Sequence, residues 1–174
     1  IPDVVIDEPR RIREMLLAGR LLIDTNARIA RAALAVAAPV DATIKLGPTR
    51  ADFARLLKSA QFVVLPPPKL AGDVGHHLRQ ITTELDLHIE IDSKIRYAQD
   101  VDVPFLVAEL GKAAIGIAPV PLLINDPDTR LIGELPTDLQ HFMELSVALS
   151  IEPRRPSASS AFAAFLASAR AAAV

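Results

Sequence analysis

The stretch Gln61–Gln80, QFVVLPPPKLAGDVGHHLRQ, decides the fold class of this chain. Phe62–Leu65 is a short apolar, β-branched run typical of a buried strand, and Pro66–Pro68 ends it. Apolar residues then recur at i, i+3 and i+7 from Leu78 to Leu85, which predicts a helix that begins near Gly72–Gly75. The stretch therefore predicts a strand, a loop and a helix, the basic unit of an α/β protein.

The loop between this strand and this helix is a candidate ligand site. Its small residues leave backbone N–H groups open to an approaching ligand, and the helix N-terminus contributes the positive end of its dipole. This combination suits an anion. An ordinary strand-to-helix connection has the same pattern, because most α/β units contain such a turn. Both interpretations of the loop stay open on these residues alone.

Composition excludes several classes of partner. The 174 residues are 51% hydrophobic, enough for a core in one domain or in two small lobes. The net charge is -2, with 19 basic and 21 acidic residues mixed along the chain, so we expect no nucleic-acid or membrane-surface binding. No apolar run approaches the roughly 20 residues of a membrane helix. The absence of cysteine excludes a disulfide framework but leaves the cellular compartment open.

The remaining elements alternate in type. Val4–Ile6 reads as a strand at the very start of the chain, so we expect an upstream part of its sheet to be missing. Thr49 and Asp52 have the spacing of a capping box in front of an apolar helix. The alternating residues of Leu87–Ile91 fit an exposed strand or a short helical turn. The overall order predicts an α/β fold.

The carboxyl-terminal part of the chain predicts a long strand followed by a helix. Apolar residues occupy alternate positions over Met143–Ile151, which is strand periodicity. Ser157–Ser160 can cap a final helix. The residues predicted on the buried side of this helix are Phe162, Phe165, Leu166 and Ala169.

Short segments spread along the chain match one known family in their order and spacing. These segments are Asp3–Ile6, Leu17–Arg20, Pro68–His76, Gln99–Val101, Ala114–Ile117, Gly133–Gln140 and Ala163–Ser168. Together they resemble the molybdate-binding-protein-like solute-binding proteins of bacterial ABC transport systems, which have the type II periplasmic binding fold. The first two strands and helices of that family have no counterpart here. The resemblance therefore implies a first lobe that lacks its amino-terminal part.

The resemblance implies an α/β fold of two lobes. Residues 1–41 and 142–174 would form lobe 1, residues 42–141 would form lobe 2, and Ala32–Val40 and Phe142–Ile151 would cross between them. The implied function is the capture of a small anion or carboxylate in the cleft between the lobes. The implied partners are membrane transporter subunits, the implied location is periplasmic or secreted, and no cofactor is expected. An incomplete lobe also leads us to expect a homodimer or pairing with a missing amino-terminal fragment.

The expected site combines the loop with positions that the resemblance supplies. The oxyanion-contacting positions of the family correspond to Ala71, Val101 and Pro119. Molybdate binders usually carry tyrosine at the last position, whereas Pro119 has neither a hydroxyl nor an N–H to donate. The candidate ligand-binding residues are Ala71, Gly72, Asp73, Val74, Gly75, Val101 and Pro119.

Two other function classes stay open. A periplasmic isomerase-like enzyme acting on a small carboxylate would need a titratable group in the cleft, and His76, His77 and Asp73 are the candidates. The ligand-sensing domain of a transcription regulator would require an upstream DNA-binding helix-turn-helix. No metal site is expected, because His76 and His77 are adjacent and diverge on a helix. No catalytic nucleophile is indicated either.

Overall fold

The computed structural model describes residues 2–68, 72–99, 102–124, 126–168 and 170–171, with the backbone alone for residues 72 and 73. Its strands are β1 (Val4–Asp7), β2 (Ala27–Pro39), β3 (Phe62–Leu65), β4 (Ile95–Tyr97), β5 (Ala114–Pro119), β6 (Thr129–Glu134) and β7 (Phe142–Leu149). Its α-helices are α1 (Pro9–Leu17), α2 (Arg50–Ser59), α3 (Gly72–Glu84), α4 (His88–Lys94), α5 (Val103–Leu110) and α6 (Pro156–Leu166). The α/β fold class is confirmed.

The chain divides into two compact units. The first unit comprises Ile1–Arg31 and Met143–Val174, and the second unit comprises Ala32–Phe142. Strands β2 and β7 each contain one of the two boundaries between the units. The chain therefore passes between the units along strands, not along loops.

In the first unit, β1 pairs antiparallel with β7, and Val4 lies opposite Leu149. The fully buried Ile12 of α1 packs with Val5, Leu21 and Ala148 in a small core. The predicted strand at the start of the chain is thus present, and α1 follows it.

Helix α6 corrects two predictions from the sequence. It begins at Pro156 with Arg155 in the N-cap position, so Ser157–Ser160 lie inside the helix and do not cap it. Phe162 and Phe165 are about half exposed, whereas the small side chains of Ser159 and Ala163 are buried. These small residues allow the helix to lie close to the strands, which turns the phenylalanines outward. Ala169 lies outside the described residues.

The second unit contains a sheet whose central strands are parallel. Strand β3 pairs with β4 on one side, with Leu65 opposite Tyr97, and with β5 on the other, with Val64 opposite Gly116. Strand β2 pairs antiparallel with both β5 and β6. Helix α5 packs closely on β5. A Cβ atom added at Gly116 would lie only 2.7 Å from Val103 Cγ1, so there is no room for a larger residue at this position. Gly116 therefore sets the approach of α5 to the sheet.

The capping box at the start of α2 is present as predicted. The Thr49 hydroxyl accepts a hydrogen bond from the Asp52 backbone N–H at 3.2 Å, and the Asp52 carboxylate accepts from the Thr49 backbone N–H at 3.0 Å. The hydrogen bonds that the Asp52 carboxylate accepts from the Thr49 hydroxyl and from the Thr49 backbone N–H lower the pKa of Asp52 from its ordinary value. The helix start therefore keeps a charged carboxylate in its first turn, where the helix dipole favours it.

Leu87–Ile91 belongs to a helical region, so the strand interpretation of this segment is wrong and the helical one is right. A turn at Asp86, with a φ of 55°, leads into α4, and the Leu87 N–H donates to the Thr82 carbonyl at 2.7 Å. Leu87 and Ile91 are buried while Ile89 is 77% exposed. Leu87 and Ile91 are four residues apart, and residues at this spacing share a face both in a helix and in a strand. Alternation over only five residues therefore could not distinguish a helix from a strand.

Candidate functional site

Three adjacent parallel strands of the second unit end at one edge of its sheet. The parallel registers place the carboxyl ends of β5, β3 and β4 side by side in that order. In chain order, Ala71–Gly75 follow β3, Val101 follows β4, and Pro119 ends β5. In open α/β sheets, ligands bind outside the carboxyl ends of the strands. In chain order, the sequence-predicted site residues therefore either follow a strand that ends at this edge or, in the case of Pro119, are its last residue.

The predicted site residues differ in how far the structure describes them. Ala71 and Val101 lie outside the described residues. Gly72 and Asp73 form the start of α3, and the Asp73 side chain is not described. Asp73 is the second residue of α3 and therefore not its N-cap, and its predicted ligand role stays a prediction.

Val74 and Gly75 lie in the first turns of α3. Val74 is buried, with 1% of its surface exposed, so its side chain does not face a ligand. Leu78 and Ile81 are buried on the same face of the helix, each 2% exposed. This apolar stripe anchors α3 to the second unit and fixes the direction in which its N-terminal amides point.

Pro119 is the buried last residue of β5 and lies opposite Leu34 of β2. Proline has no backbone N–H, and its ring carries no polar group. Pro119 can therefore contribute shape and a carbonyl oxygen to a site, but no hydrogen-bond donor. A donor at this part of the edge has to come from a neighbouring strand or helix.

His77 contacts the segment that leads into β7. Its Nε2 atom lies 2.8 Å from the Leu139 carbonyl oxygen, and its ring centroid lies 4.8 Å from that of His141. The carbonyl accepts, so this ring nitrogen carries the proton. The neighbouring Gln140 side chain accepts from the Leu34 N–H at 2.9 Å and donates to the Leu34 carbonyl at 3.0 Å. His77 thus joins α3 to the point at which the chain leaves the second unit.

A match to a protein family identifies the class of protein to which this chain belongs. The family described as bacterial extracellular solute-binding protein matches residues 2–174. The chain belongs to this family. The function of this solute-binding protein is to bind a solute, and its family is extracellular.

Solved structures share the fold of this solute-binding protein at low sequence identity. A substrate-binding domain assigned to a molybdenum ABC transporter of Clostridium difficile has a TM-score of 0.72 at 17% identity, over 96% of this chain and 71% of that one. The periplasmic molybdate-binding protein of Azotobacter vinelandii has a TM-score of 0.72 at 15% identity, over 98% and 74% of the two chains.

A third structure, the tungstate-binding protein of Desulfovibrio alaskensis, has a TM-score of 0.58 at 12% identity, over 95% and 70% of the two chains. These likenesses establish the type II periplasmic binding fold. A search of curated proteins found no match.

Among the described residues, no helix of this solute-binding protein is long and apolar enough to cross a membrane. In the same part of the chain, no group of three or more His, Asp or Glu side chains is placed to hold a metal ion.

Sequence reasoning missed two residues next to the predicted site. Tyr97 ends β4, and its hydroxyl oxygen lies 4.0 Å from where a Cβ atom of Gly75 would be. The pairing of β4 with β3 brings its carboxyl end, and with it Tyr97, to this edge. Gln140, which bonds both backbone groups of Leu34, gave no signal, because its partner is 106 residues away in sequence.

Proposed function

We propose that this solute-binding protein captures a small anion, either an oxyanion or a carboxylate, for an ABC-type transporter. The observation that carries the proposal is that β3, β4 and β5 are parallel and end at one sheet edge, where Pro119 ends β5 and Gly72–Gly75 begin the helix that follows β3. The likeness to proteins named for molybdate and tungstate supports an anionic solute.

Main-chain amides are the proposed grip on the anion. Helix α3 is 13 residues long, and its dipole places positive potential at the N–H groups of Gly72–Gly75. No lysine or arginine occurs from Ala71 to Gly75, so these amides are the principal source of positive potential in that segment. Amides do not titrate in the physiological range, and we therefore expect binding to tolerate changes in pH.

Pro119 removes one donor that molybdate recognition would use. The anion is therefore to be identified by titration with a set of several anions.

We also propose that residues 1–41 with 142–174 and residues 42–141 act as two lobes with the solute in a cleft between them. Closure of the lobes would then be a hinge motion. The match to a solute-binding family supports solute capture over an enzymatic role.

Calorimetric titration of the complete polypeptide tests the proposed solute class. The panel contains molybdate, tungstate, sulfate, phosphate, succinate and citrate, with a polyamine and a neutral sugar as comparisons. We expect at least one of the anions to bind and both comparisons to give no heat of binding. Binding of the polyamine or the sugar alone would contradict the proposal.

We further propose that an exposed apolar face of the first unit pairs with an amino-terminal fragment or with a second copy of the chain. Three large apolar side chains of this unit, Ile6, Phe162 and Phe165, have 45%, 49% and 44% of their surface accessible. Light scattering of the 174-residue chain by itself should therefore detect self-association. A well-folded monomer at micromolar concentration would argue against this pairing.

A further inference from the structure

Tyr97 lies beside the last residue of β3 and near the first turns of α3, both of which belong to the proposed site. It is the last residue of β4 and pairs with Leu65, the last residue of β3, in the parallel register. Its hydroxyl oxygen faces the α-carbon of Gly75 on α3, since a Cβ built there would meet that oxygen at 4.0 Å and no other described atom within that distance. The phenol therefore reaches the first turns of α3 from the neighbouring strand.

The Tyr97 hydroxyl is available for a ligand. The residue is 46% exposed, and no hydrogen bond joins its hydroxyl to another described residue. Glycine at position 75 keeps the space beside the oxygen open, because the helix presents no side chain there. A phenolic O–H can donate one hydrogen bond in addition to those of the backbone amides of α3.

A hollow of about 440 Å³ lies on another side of Tyr97. Its lining residues are Tyr97, Gln99, Asp102, Phe105, Leu106 and Glu109. Asp102 accepts a hydrogen bond from the Phe105 backbone N–H at 3.3 Å as the N-cap of α5. The carboxylates of Asp102 and Glu109 make this hollow unfavourable for an anion, so the hollow is not the proposed anion position.

We infer that Tyr97 is a ligand-contacting residue of the solute site and that its hydroxyl donates a hydrogen bond to an oxygen of the anion held by the α3 amides. The inference rests on the proposed function. One oxygen of the solute accepts from the amides and a second accepts from Tyr97. The site therefore takes an anion with at least two acceptor oxygens, such as a tetrahedral oxyanion or a dicarboxylate, in preference to a monatomic halide.

The test compares Tyr97→Phe with the unmodified complete polypeptide by calorimetry, using tungstate, sulfate and succinate, with chloride as the monatomic comparison. Tyr97→Phe keeps the ring and removes only the hydroxyl. We expect it to bind the preferred oxygen-bearing anion roughly tenfold more weakly or worse, because a hydrogen bond to a charged group is lost. Its selectivity over chloride should fall by the same factor, while its thermal unfolding midpoint stays unchanged.

Thr83→Ala is the matched control, since it also removes one hydroxyl from α3 but near the opposite end of the helix, where that hydroxyl donates to the Arg79 carbonyl. This control should keep full affinity. If Tyr97→Phe also keeps full affinity while Gly72→Pro loses it, the Tyr97 inference is overturned and the proposed function stands. If none of the three anions binds the unmodified protein, the Tyr97 inference is overturned; if none of the anions in the wider panel binds either, the proposed function fails as well.

Discussion

Replacement of Phe53 by alanine is expected to lower the free energy of unfolding by about 3–5 kcal/mol. Phe53 lies on α2 and is completely buried in the second unit. The substitution removes most of a large apolar side chain and leaves a cavity that the close-packed surroundings fill only in part. Urea denaturation followed by circular dichroism measures the change.

Phe105→Ala is the matched control for this prediction. It is the same substitution on a helix of the same unit, but Phe105 is 62% exposed. Little apolar surface leaves water there on folding, so we expect a loss of less than about 1 kcal/mol. Equal losses for the two variants would show that Phe53 is not part of the core of the second unit.

Gly72→Pro is expected to weaken binding of the preferred anion by a factor of roughly ten to a hundred, which corresponds to the loss of one hydrogen bond to a charged group. Gly72 is the first residue of α3. Proline is well tolerated at a first helical position, because the N–H it lacks has no partner within the helix. The variant should therefore fold normally and lose one amide donor, and calorimetry measures the affinity.

Gly72→Ala is the control that separates the loss of the amide N–H from the loss of the backbone flexibility of glycine. Alanine keeps the N–H and restricts the backbone only mildly, so its affinity should stay within about twofold of the unmodified protein. A Gly72→Pro protein that retains full affinity would show that the loop at the start of α3 is structural. A loss of affinity in both variants would instead assign the effect to backbone flexibility.

Local signals in the sequence predicted the elements that frame the site. The capping box of Thr49 and Asp52 predicted the start of α2, and the β-branched run Phe62–Leu65 predicted β3, because both depend on interactions between residues close in sequence. The glycine at position 111 ends α5 with a φ of 84°, as a helix-ending glycine should. The α/β order followed from these elements.

Long-range packing decided the rest. The burial of Ser159 and Ala163 in place of the phenylalanines of α6 depends on how closely that helix approaches its strands, which no residue of the helix encodes by itself. The contact between His77 and Leu139 spans 62 residues. The position of Tyr97 beside Gly75 likewise depends on the register of β3 and β4, and this register places a hydroxyl where the sequence had suggested only amides.

The chemical shifts of the backbone amides, measured by NMR as the preferred anion is added to the complete polypeptide, test the proposed site most directly. Binding by main-chain N–H groups predicts that the largest changes occur at the amides of Gly72–Gly75, with further changes near Val101, and that they saturate with the calorimetric affinity. Saturable changes elsewhere, with the amides of Gly72–Gly75 unmoved, would contradict the assignment of the solute to the start of α3.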